Sequence, residues 1–138
     1  MKRKEPTYKY QYVMLLDDNE LDNFINQKII ETSHFSKKIY TSTSGKSALE
    51  FLNNLLLLDK DGESIFPQVI FIDINMPIMD GMQFISSLNK ITDPKLKACK
   101  LVILTSSMFE EDRYKAKQLR EDIGFFKKPL TTAQLDQI

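Results

Sequence analysis

The sequence predicts an α/β fold in which a parallel sheet is covered by helices on both faces. Short apolar, β-prone runs recur along the 138 residues, and segments with helical patterns separate them. Helical crossovers of this length imply parallel strand pairing with right-handed connections. The runs VIFI at 69–72 and LVIL at 101–104 are apolar throughout, which is typical of central strands buried on both sides. One doubly wound domain is therefore expected.

Five strands are predicted, each from a short run of apolar, β-branched or aromatic residues. In chain order they are YVMLL at 12–16, KIYT at 38–41, VIFI at 69–72, KLVILT at 100–105 and IGFF at 123–126. The predicted sheet therefore has five parallel strands.

Five helices are predicted between and after these strands. They lie within DDNELDNFINQKIIETS at 17–33, residues 44–58, MQFISSLNKI at 82–91, EEDRYKAKQL at 110–119 and TTAQLDQI at 131–138. The first begins with residues typical of a helix N-cap. Its apolar residues on one helical face are Leu21, Phe24, Ile25 and Ile29, a pattern typical of a helix packed against a sheet. Gly62 and Pro67 mark a loop after the second helix, and the last helix is short.

Composition excludes several classes of protein. Lys plus Arg and Asp plus Glu both number 19, so no bulk charge attracts nucleic acid or an anionic membrane. Cys99 is the only cysteine, which excludes an internal disulfide and suits a reducing compartment. No apolar stretch of signal-peptide length follows the polar N-terminus. We expect a cytoplasmic protein without DNA or membrane partners, with a flexible tail at 1–10 and a folded domain at 11–138.

Polar residues follow four of the predicted strands. They are Asp17 and Asp18 after the first strand, Asp73 after the third, Thr105, Ser106 and Ser107 at the end of the fourth, and Lys127 and Lys128 after the fifth. Because all strands of a parallel sheet point the same way, these residues gather along one edge, where ligands bind. Each alone has an ordinary explanation as a helix cap, a solvated strand end or a turn residue, but their convergence favours a site.

The chemistry of this predicted site favours a divalent cation and a phosphoryl group. Three crowded carboxylates repel one another, and at least one takes up a proton unless a cation is bound. Mg²⁺ prefers oxygen ligands, usually one or two carboxylates with waters and phosphate oxygens. A lysine ammonium and a threonine hydroxyl nearby could bind phosphoryl oxygens, which phosphoryl transfer requires.

Four segments resemble the signatures of the response-regulator receiver domain of two-component signalling, in the same order and spacing. They are VMLLDDNE, FIDINMPIMDG, ILTSS and FFKKPL. The resemblance extends from about Tyr12 to Leu135. It implies a CheY-like receiver domain with the flavodoxin-like strand order 2-1-3-4-5.

The resemblance also implies roles for the acidic residues. Asp73 would be the phosphoacceptor and would attack the phosphorus of a phosphohistidine on a sensor histidine kinase or phosphotransfer protein. Asp18 would bind Mg²⁺ directly and Asp17 through water. Asn75 would contribute its backbone carbonyl to the same ion.

Further roles are implied for residues at the ends of the last two strands. Thr105 would direct its hydroxyl toward the phosphoryl group, and Lys128 would pair with a phosphoryl oxygen. Phe125 occupies the position of the aromatic switch residue, whose ring moves inward together with the threonine hydroxyl. Asn75 and Ser107 occupy the two positions that modulate the lifetime of the phosphoryl group. The protein would then signal to a downstream protein and would catalyse only its own phosphorylation and dephosphorylation.

One further feature agrees with the family, and two depart from it. The Lys128–Pro129 bond resembles one that is usually cis in this family. The short last helix abbreviates the usual output surface and puts the usual dimer mode in doubt. The start at Met1 favours a stand-alone regulator over an excised domain.

Two other functions remain as alternatives. One is a receiver fold used as a phosphorylation-independent scaffold, which predicts a damaged site, whereas the predicted site is complete. The other is a haloacid-dehalogenase-like phosphatase, whose second acid after the nucleophile is missing because Asn75 follows Asp73 at that spacing. A working phosphorylation switch is therefore preferred.

Overall fold

The computed structural model describes residues 5–59 and 64–138. These residues form five strands and six helices, which alternate along the chain except that the third helix is followed directly by the fourth. The elements are β1 (Tyr10–Leu16), α1 (Glu20–Thr32), β2 (Ser36–Ser42), α2 (Gly45–Leu58), β3 (Val69–Ile72), α3 (Gly81–Leu88), α4 (Pro94–Ala98), β4 (Lys100–Thr105), α5 (Glu110–Leu119), β5 (Gly124–Lys127) and α6 (Thr132–Leu135).

The five strands form one parallel sheet in the order β2-β1-β3-β4-β5. This confirms the predicted doubly wound α/β architecture and strand order. The register aligns the carboxyl ends of the central strands, because Leu16 pairs with Ile72 and Ile72 pairs with Ile103. Asp17 and Asp73, which follow the first two of these residues, are therefore neighbours at the edge of the sheet.

Two apolar layers cover the two faces of the sheet. Successive strand residues point to opposite faces, so Ile70 and Ile72 belong to one core layer and Val69 and Phe71 to the other. All four β3 side chains are buried, which confirms the prediction of a central strand covered on both sides. The first layer also contains buried residues of α2, α3 and α5, and the second contains buried residues of α1 and α6.

The buried face of α1 differs from the one that its apolar pattern predicts. Leu21, Phe24 and Ile25 are exposed by 64%, 57% and 40%, and only Ile29 of the predicted face packs against the core, whereas Asn23 and Asn26 are buried. The asparagines point inward because their side chains satisfy backbone groups at strand and loop ends. The Nδ2 of Asn23 donates to the carbonyl of Asp17 at 3.0 Å, and the Oδ1 of Asn26 accepts from the backbone N–H of Leu130 at 3.2 Å.

The short helix α4 was not predicted, and the third helix ends at Leu88 rather than at residue 91. The start signal of α4 is present in the sequence, because Asp93 is an N-cap residue and Pro94 occupies the first turn. The short last helix is confirmed as α6, which spans only Thr132–Leu135.

The predicted division into a tail at 1–10 and a domain at 11–138 stays a prediction. Residues 1–4, and residues 60–63 of the loop predicted after the second helix, lie outside the described residues. Strand β1 begins at Tyr10, one residue before the predicted boundary. Among the described residues, none of the helices has the length and apolar character needed to cross a membrane.

Candidate functional site

Three carboxylates meet at the carboxyl edge of the central strands. Asp17, Asp18 and Asp73 each offer one oxygen that lies within 4.8 Å of the others. Backbone pairing fixes this arrangement, because the N–H of Asp73 donates to the carbonyl of Leu16 at 2.9 Å. Asp17 and Asp73 are buried, whereas Asp18 is exposed. The cluster is therefore open to solvent on the side of Asp18.

The ammonium group of Lys128 lies among these acids. Its Nζ is 2.5 Å from Oδ2 of Asp17 and 3.1 Å from Oδ1 of Asp73. A third carboxylate, that of Asp22, also lies 3.1 Å from this nitrogen. The backbone N–H of Lys128 donates to the carbonyl of Thr105 at 2.8 Å, which holds the end of β5 beside β4.

The two lysines at the end of β5 differ in their surroundings. The Lys128 side chain is only 13% exposed, and the bond between Lys128 and Pro129 is cis, as the resemblance implies. The neighbouring Lys127 is exposed to solvent. Only the second lysine therefore contributes charge to the acidic cluster.

The surroundings shift the pKa values of the charged groups. Burial and the charge of Asp17 raise the pKa of Asp73 to about 6, although Lys128 opposes this shift. Burial also raises the pKa of Asp17 above its ordinary value, against the hydrogen bond from Lys128. Burial lowers the pKa of Lys128, but hydrogen bonds to Asp17 and Asp22 and the charge of Asp73 outweigh it and keep the pKa above its ordinary value. The site thus holds a protonated lysine and an excess of negative charge.

This donor set fits a hard divalent cation. All the clustered ligand atoms are carboxylate oxygens, and Mg²⁺ favours such oxygens while retaining several waters. Three acids share the Lys128 ammonium group, and Asp18 lies beside two of them, so a second cation would relieve their repulsion. Asn75, the remaining predicted ligand, is exposed two residues after Asp73. The residues present therefore suit the magnesium ion that the sequence predicts.

The loop after β3 returns closely to the end of that strand. The backbone N–H of Gly81 donates to the carbonyl of Ile74 at 2.8 Å. A Cβ atom at Gly81 would lie 2.9 Å from Cα of Ile74, which is closer than real Cβ atoms approach. Gly81 therefore allows a close backbone contact that fixes the loop beside Asp73, a role that the sequence analysis did not assign.

The predicted switch residues, Thr105 and Phe125, form no hydrogen bond with the carboxylates of the acidic cluster in the part of the chain that the structure describes. The hydroxyl of Thr105 donates to the carbonyl of Ser107 at 2.8 Å and accepts from its N–H at 3.2 Å. Phe125 is 7% exposed within the first core layer, and the guanidinium of Arg113 lies 5.9 Å from its ring centre. Phe109 occupies the N-cap position of α5 and makes no side-chain cap hydrogen bond. Thr105, Ser106 and Ser107 therefore do not cap this helix.

Sequence reasoning missed three polar residues that shape the site from α1. Asp22 forms an ion pair with Lys128. Asn23 donates hydrogen bonds to the carbonyls of Asp17 and Ser42. Asn26 accepts a hydrogen bond from the backbone of the loop after Lys128. Asn19, Asn23 and Asn26 recur at helical spacing, so a polar stripe was visible in the sequence. This stripe is the signal that could have identified the inward face of the helix.

Comparison with known proteins agrees with this geometry. Residues 13–138 match the family model described as the response regulator receiver domain. A two component response regulator from Cytophaga hutchinsonii of known crystal structure is 31% identical, with a TM-score of 0.81 and 92% of each chain covered. The crystal structure of the phosphorylated cyanobacterial phytochrome response regulator RcpA is 25% identical, with a TM-score of 0.70, and covers 93% of this chain and 87% of its own.

A curated relative gives a similar match over a shorter region. Response regulator Rcp1 from Synechocystis sp. is 28% identical over 103 residues, which cover 72% of this chain and 65% of the relative. The chain thus spans less than two thirds of the length of this relative.

Proposed function

The chain belongs to the response regulator receiver domain family, and we propose that it accepts a phosphoryl group on Asp73 and thereby signals to a partner protein. The donor would be a sensor histidine kinase or a phosphotransfer protein. One observation carries the proposal: the buried carboxylate of Asp73 contacts Lys128 and lies within ligand distance of Asp17 and Asp18. RcpA, one of the structures similar to this chain, is a phosphorylated response regulator.

The chemical step is a phosphoryl transfer to a carboxylate. One oxygen of Asp73 forms a bond to phosphorus while the bond between phosphorus and the donor's imidazole nitrogen breaks. The electron pair of that bond stays on the nitrogen, and the product is an aspartyl phosphate. Lys128 stabilises negative charge on the phosphoryl oxygens through its ammonium group. Because only the ionised carboxylate attacks, transfer requires a deprotonated Asp73.

Magnesium is the proposed cofactor of this site. Asp18, Asp73 and the backbone carbonyl of Asn75 would hold it directly, and Asp17 would hold it through water. The chemistry that bound Mg²⁺ supplies is neutralisation of charge on the phosphoryl oxygens. The support for this assignment is the oxygen donor set and the unneutralised acidic charge.

The proposed switch links the phosphoryl group to the last strands. The Thr105 hydroxyl would leave the backbone of Ser107 and bind a phosphoryl oxygen, and Phe125 would repack with it beneath Arg113. Because the Thr105 hydroxyl is hydrogen-bonded to the backbone of Ser107, it can bind a phosphoryl oxygen only after a local rearrangement. Phosphorylation shifts the populations of the two conformations only as far as the phosphoryl group stabilises one of them over the other. Asn75 and Ser107 would modulate how long the phosphoryl group survives.

The downstream partner would bind the surface near α5 and β5. Exposed apolar residues there include Met108, Phe109 and Tyr114. Family members are signalling proteins rather than conventional enzymes, and the proposed catalysis is limited to the chain's own phosphorylation and dephosphorylation. The single buried thiol of Cys99 fits the proposed cytoplasmic location, where thiols stay reduced.

Intact-mass measurement tests the proposed function. The protein is incubated with Mg²⁺ and acetyl phosphate, with Asp73→Asn as the matched control. We expect the parent to gain the mass of one phosphoryl group and the variant to gain none. No gain in the parent would favour the scaffold alternative, whereas continuous hydrolysis of an added phosphomonoester would favour a phosphatase.

A further inference from the structure

We propose that Asp22 is a positioning residue that slows phosphorylation of Asp73 by sharing Lys128 and by adding negative charge beside the site. The inference rests on the function proposed above and adds a fourth acid to it. Asp22 belongs to the first turn of α1, and it lies outside the three-carboxylate cluster that fits a metal ion.

The ammonium group of Lys128 donates a hydrogen bond to Asp22 and is in ion-pair contact with two further carboxylates. An ammonium group has three donors, and three carboxylates surround Nζ. They are Asp17 at 2.5 Å, Asp22 at 3.1 Å and Asp73 at 3.1 Å. A phosphoryl oxygen that binds Lys128 must therefore replace or share one of these partners.

Asp22 is the most exposed of the three partners. Its side chain is 35% exposed, compared with 5% for Asp17 and 6% for Asp73. The backbone of Asp22 is held by the N-cap, because its N–H donates to Oδ1 of Asn19 at 3.1 Å. The carboxylate thus reaches Lys128 from a fixed point on α1, on the solvent side of the site.

A shallow cavity of about 220 Å³ opens beside this contact. Its lining residues are Asp22, Ile25, Asn26, Ser106, Lys128 and Pro129. An anion that reaches Lys128 through this cavity therefore meets the carboxylate of Asp22 as well. The same charge faces any phosphoryl group that is already attached to Asp73.

The distances allow substantial repulsion. The oxygens of Asp22 and Asp73 lie 3.1 Å from the same nitrogen, so they are within roughly 6 Å of each other, where like charges still act on one another. A phosphoryl group on Asp73 carries more negative charge than the carboxylate that it replaces. Asp22 therefore stabilises the protonated form of Lys128 before transfer. During transfer it opposes the gain of negative charge on Asp73.

An uncharged replacement separates the effect of charge from that of shape. Asp22→Asn keeps an oxygen that can accept from Lys128 but removes the negative charge. The rate of phosphorylation by acetyl phosphate is measured by intact mass at a Mg²⁺ concentration that saturates each variant. We expect Asp22→Asn and Asp22→Ser to react about three- to tenfold faster than the parent. Asp22→Glu, which restores the charge, should react at close to the parent rate.

Glu20→Gln is the matched control. It removes one charge from the same exposed turn of α1, but Glu20 is not a partner of Lys128. We expect its rate to stay within twofold of the parent rate, an order-of-magnitude limit for a screened surface charge.

Two further measurements distinguish repulsion from a structural effect. The rate increase in Asp22→Asn should shrink at high ionic strength, because salt screens a partly exposed charge. It should also be smaller with phosphoramidate than with acetyl phosphate, since phosphoramidate carries less net negative charge at neutral pH. A disturbance of the fold would affect both donors alike at any salt concentration.

The outcomes separate this inference from the function on which it rests. If the parent and all variants gain no phosphoryl group, the proposed function fails. If the parent is phosphorylated but Asp22→Asn and Asp22→Ser react at its rate, or Glu20→Gln accelerates equally, the role of Asp22 is overturned.

Discussion

Lys128 is the residue whose single charge balances the buried acids. Its ammonium contacts Asp17 and Asp73, both buried, and it is itself only 13% exposed. Removal of one partner from a buried group of charges leaves the others unpaired in a region of low polarity. The stability of the strand ends therefore depends on this one side chain.

Lys128→Gln should destabilise the protein in metal-free buffer. We expect the free energy of unfolding in urea to fall by about 2–4 kcal/mol, because the buried carboxylates lose their counter-charge. Lys127→Gln is the matched control, since Lys127 is exposed, and it should change the value by less than about 0.5 kcal/mol. Equal effects of the two substitutions would contradict the assigned position of Lys128.

The raised pKa of Asp73 makes stability depend on pH. Its pKa of about 6 in the folded protein lies above the ordinary value of 3.8, so the folded state binds a proton more readily than the unfolded state. The contribution of this group to stability is therefore present below pH 4 and is lost as pH rises through 6.

Asp73→Asn tests this linkage in metal-free buffer. The variant should be more stable than the parent by about 1–3 kcal/mol at pH 7.5, and this difference should vanish near pH 4. Urea unfolding across that pH range measures it. A difference that is constant with pH would show that Asp73 ionises normally in the folded protein.

At the residue scale, the sequence predicts which side chains converge but not all of their partners. Asp17, Asp73 and Lys128 follow parallel strands, so the topology alone brings them to one edge. Asp22 lies on a helix, and its direction depends on the rotation of that helix about its axis. The apolar pattern of α1 indicates the wrong rotation, and so Asp22 was missed.

At the element scale, the inward face of α1 combines two hydrogen-bonded asparagines with the buried Ile30. Asn23 and Asn26 are buried against strand and loop ends, while Leu21 and Phe24 point to solvent. A backbone carbonyl at a strand end needs a donor, and this requirement outweighs the burial of an additional leucine. Hydrophobic periodicity alone does not contain this information.

Asn23→Ala should therefore cost more than Phe24→Ala. The amide of Asn23 donates to the carbonyls of Asp17 and Ser42 at 3.0 and 3.2 Å. Its loss should lower the free energy of unfolding by about 1–3 kcal/mol, because both carbonyls lose a donor. The exposed Phe24 should cost less than about 1 kcal/mol. Urea unfolding measures both losses in the free energy of unfolding. A larger loss in Phe24→Ala than in Asn23→Ala would contradict the observed face of α1.

The loop between β3 and α3 depends on a glycine. Gly81→Ala should destabilise the fold and slow phosphorylation, because the new Cβ would clash with the backbone carbonyl oxygen of Asp73 and lie 2.9 Å from Cα of Ile74. We expect a loss of more than about 1 kcal/mol in urea unfolding. Gly45→Ala is the control, since a Cβ there meets the side chain of Met79, which can turn away at a smaller cost. Equal losses would contradict this distinction.

At the scale of the whole molecule, a neutral chain concentrates acidic charge at one edge of its sheet. Net charge alone conceals this feature, because the lysines and arginines balance the acids overall. The strand order and register create the concentration by placing Asp17 beside Asp73. The sequence predicts this edge correctly, since parallel strands leave only one place where their carboxyl ends can meet.

Magnesium should raise the stability of the whole domain. At an ion concentration about 100 times its Kd, the free energy of unfolding should rise by about 2.7 kcal/mol, because the ion binds only the folded cluster. Asp18→Asn should weaken this increase, whereas Glu110→Gln on α5 should leave it unchanged. Thermal unfolding with and without the ion measures the effect, and an increase unaffected by Asp18→Asn would contradict the assigned ligand.

The two core layers have a consequence for how the protein can diversify. The sheet is a partition between α1 on one side and Phe125 on the other, since they belong to different layers. A change on the outer surface of α1 does not alter the packing around that ring. Substitutions on the outer surface of α1 can therefore accumulate in descendants of this chain while the packing of Phe125 is inherited intact.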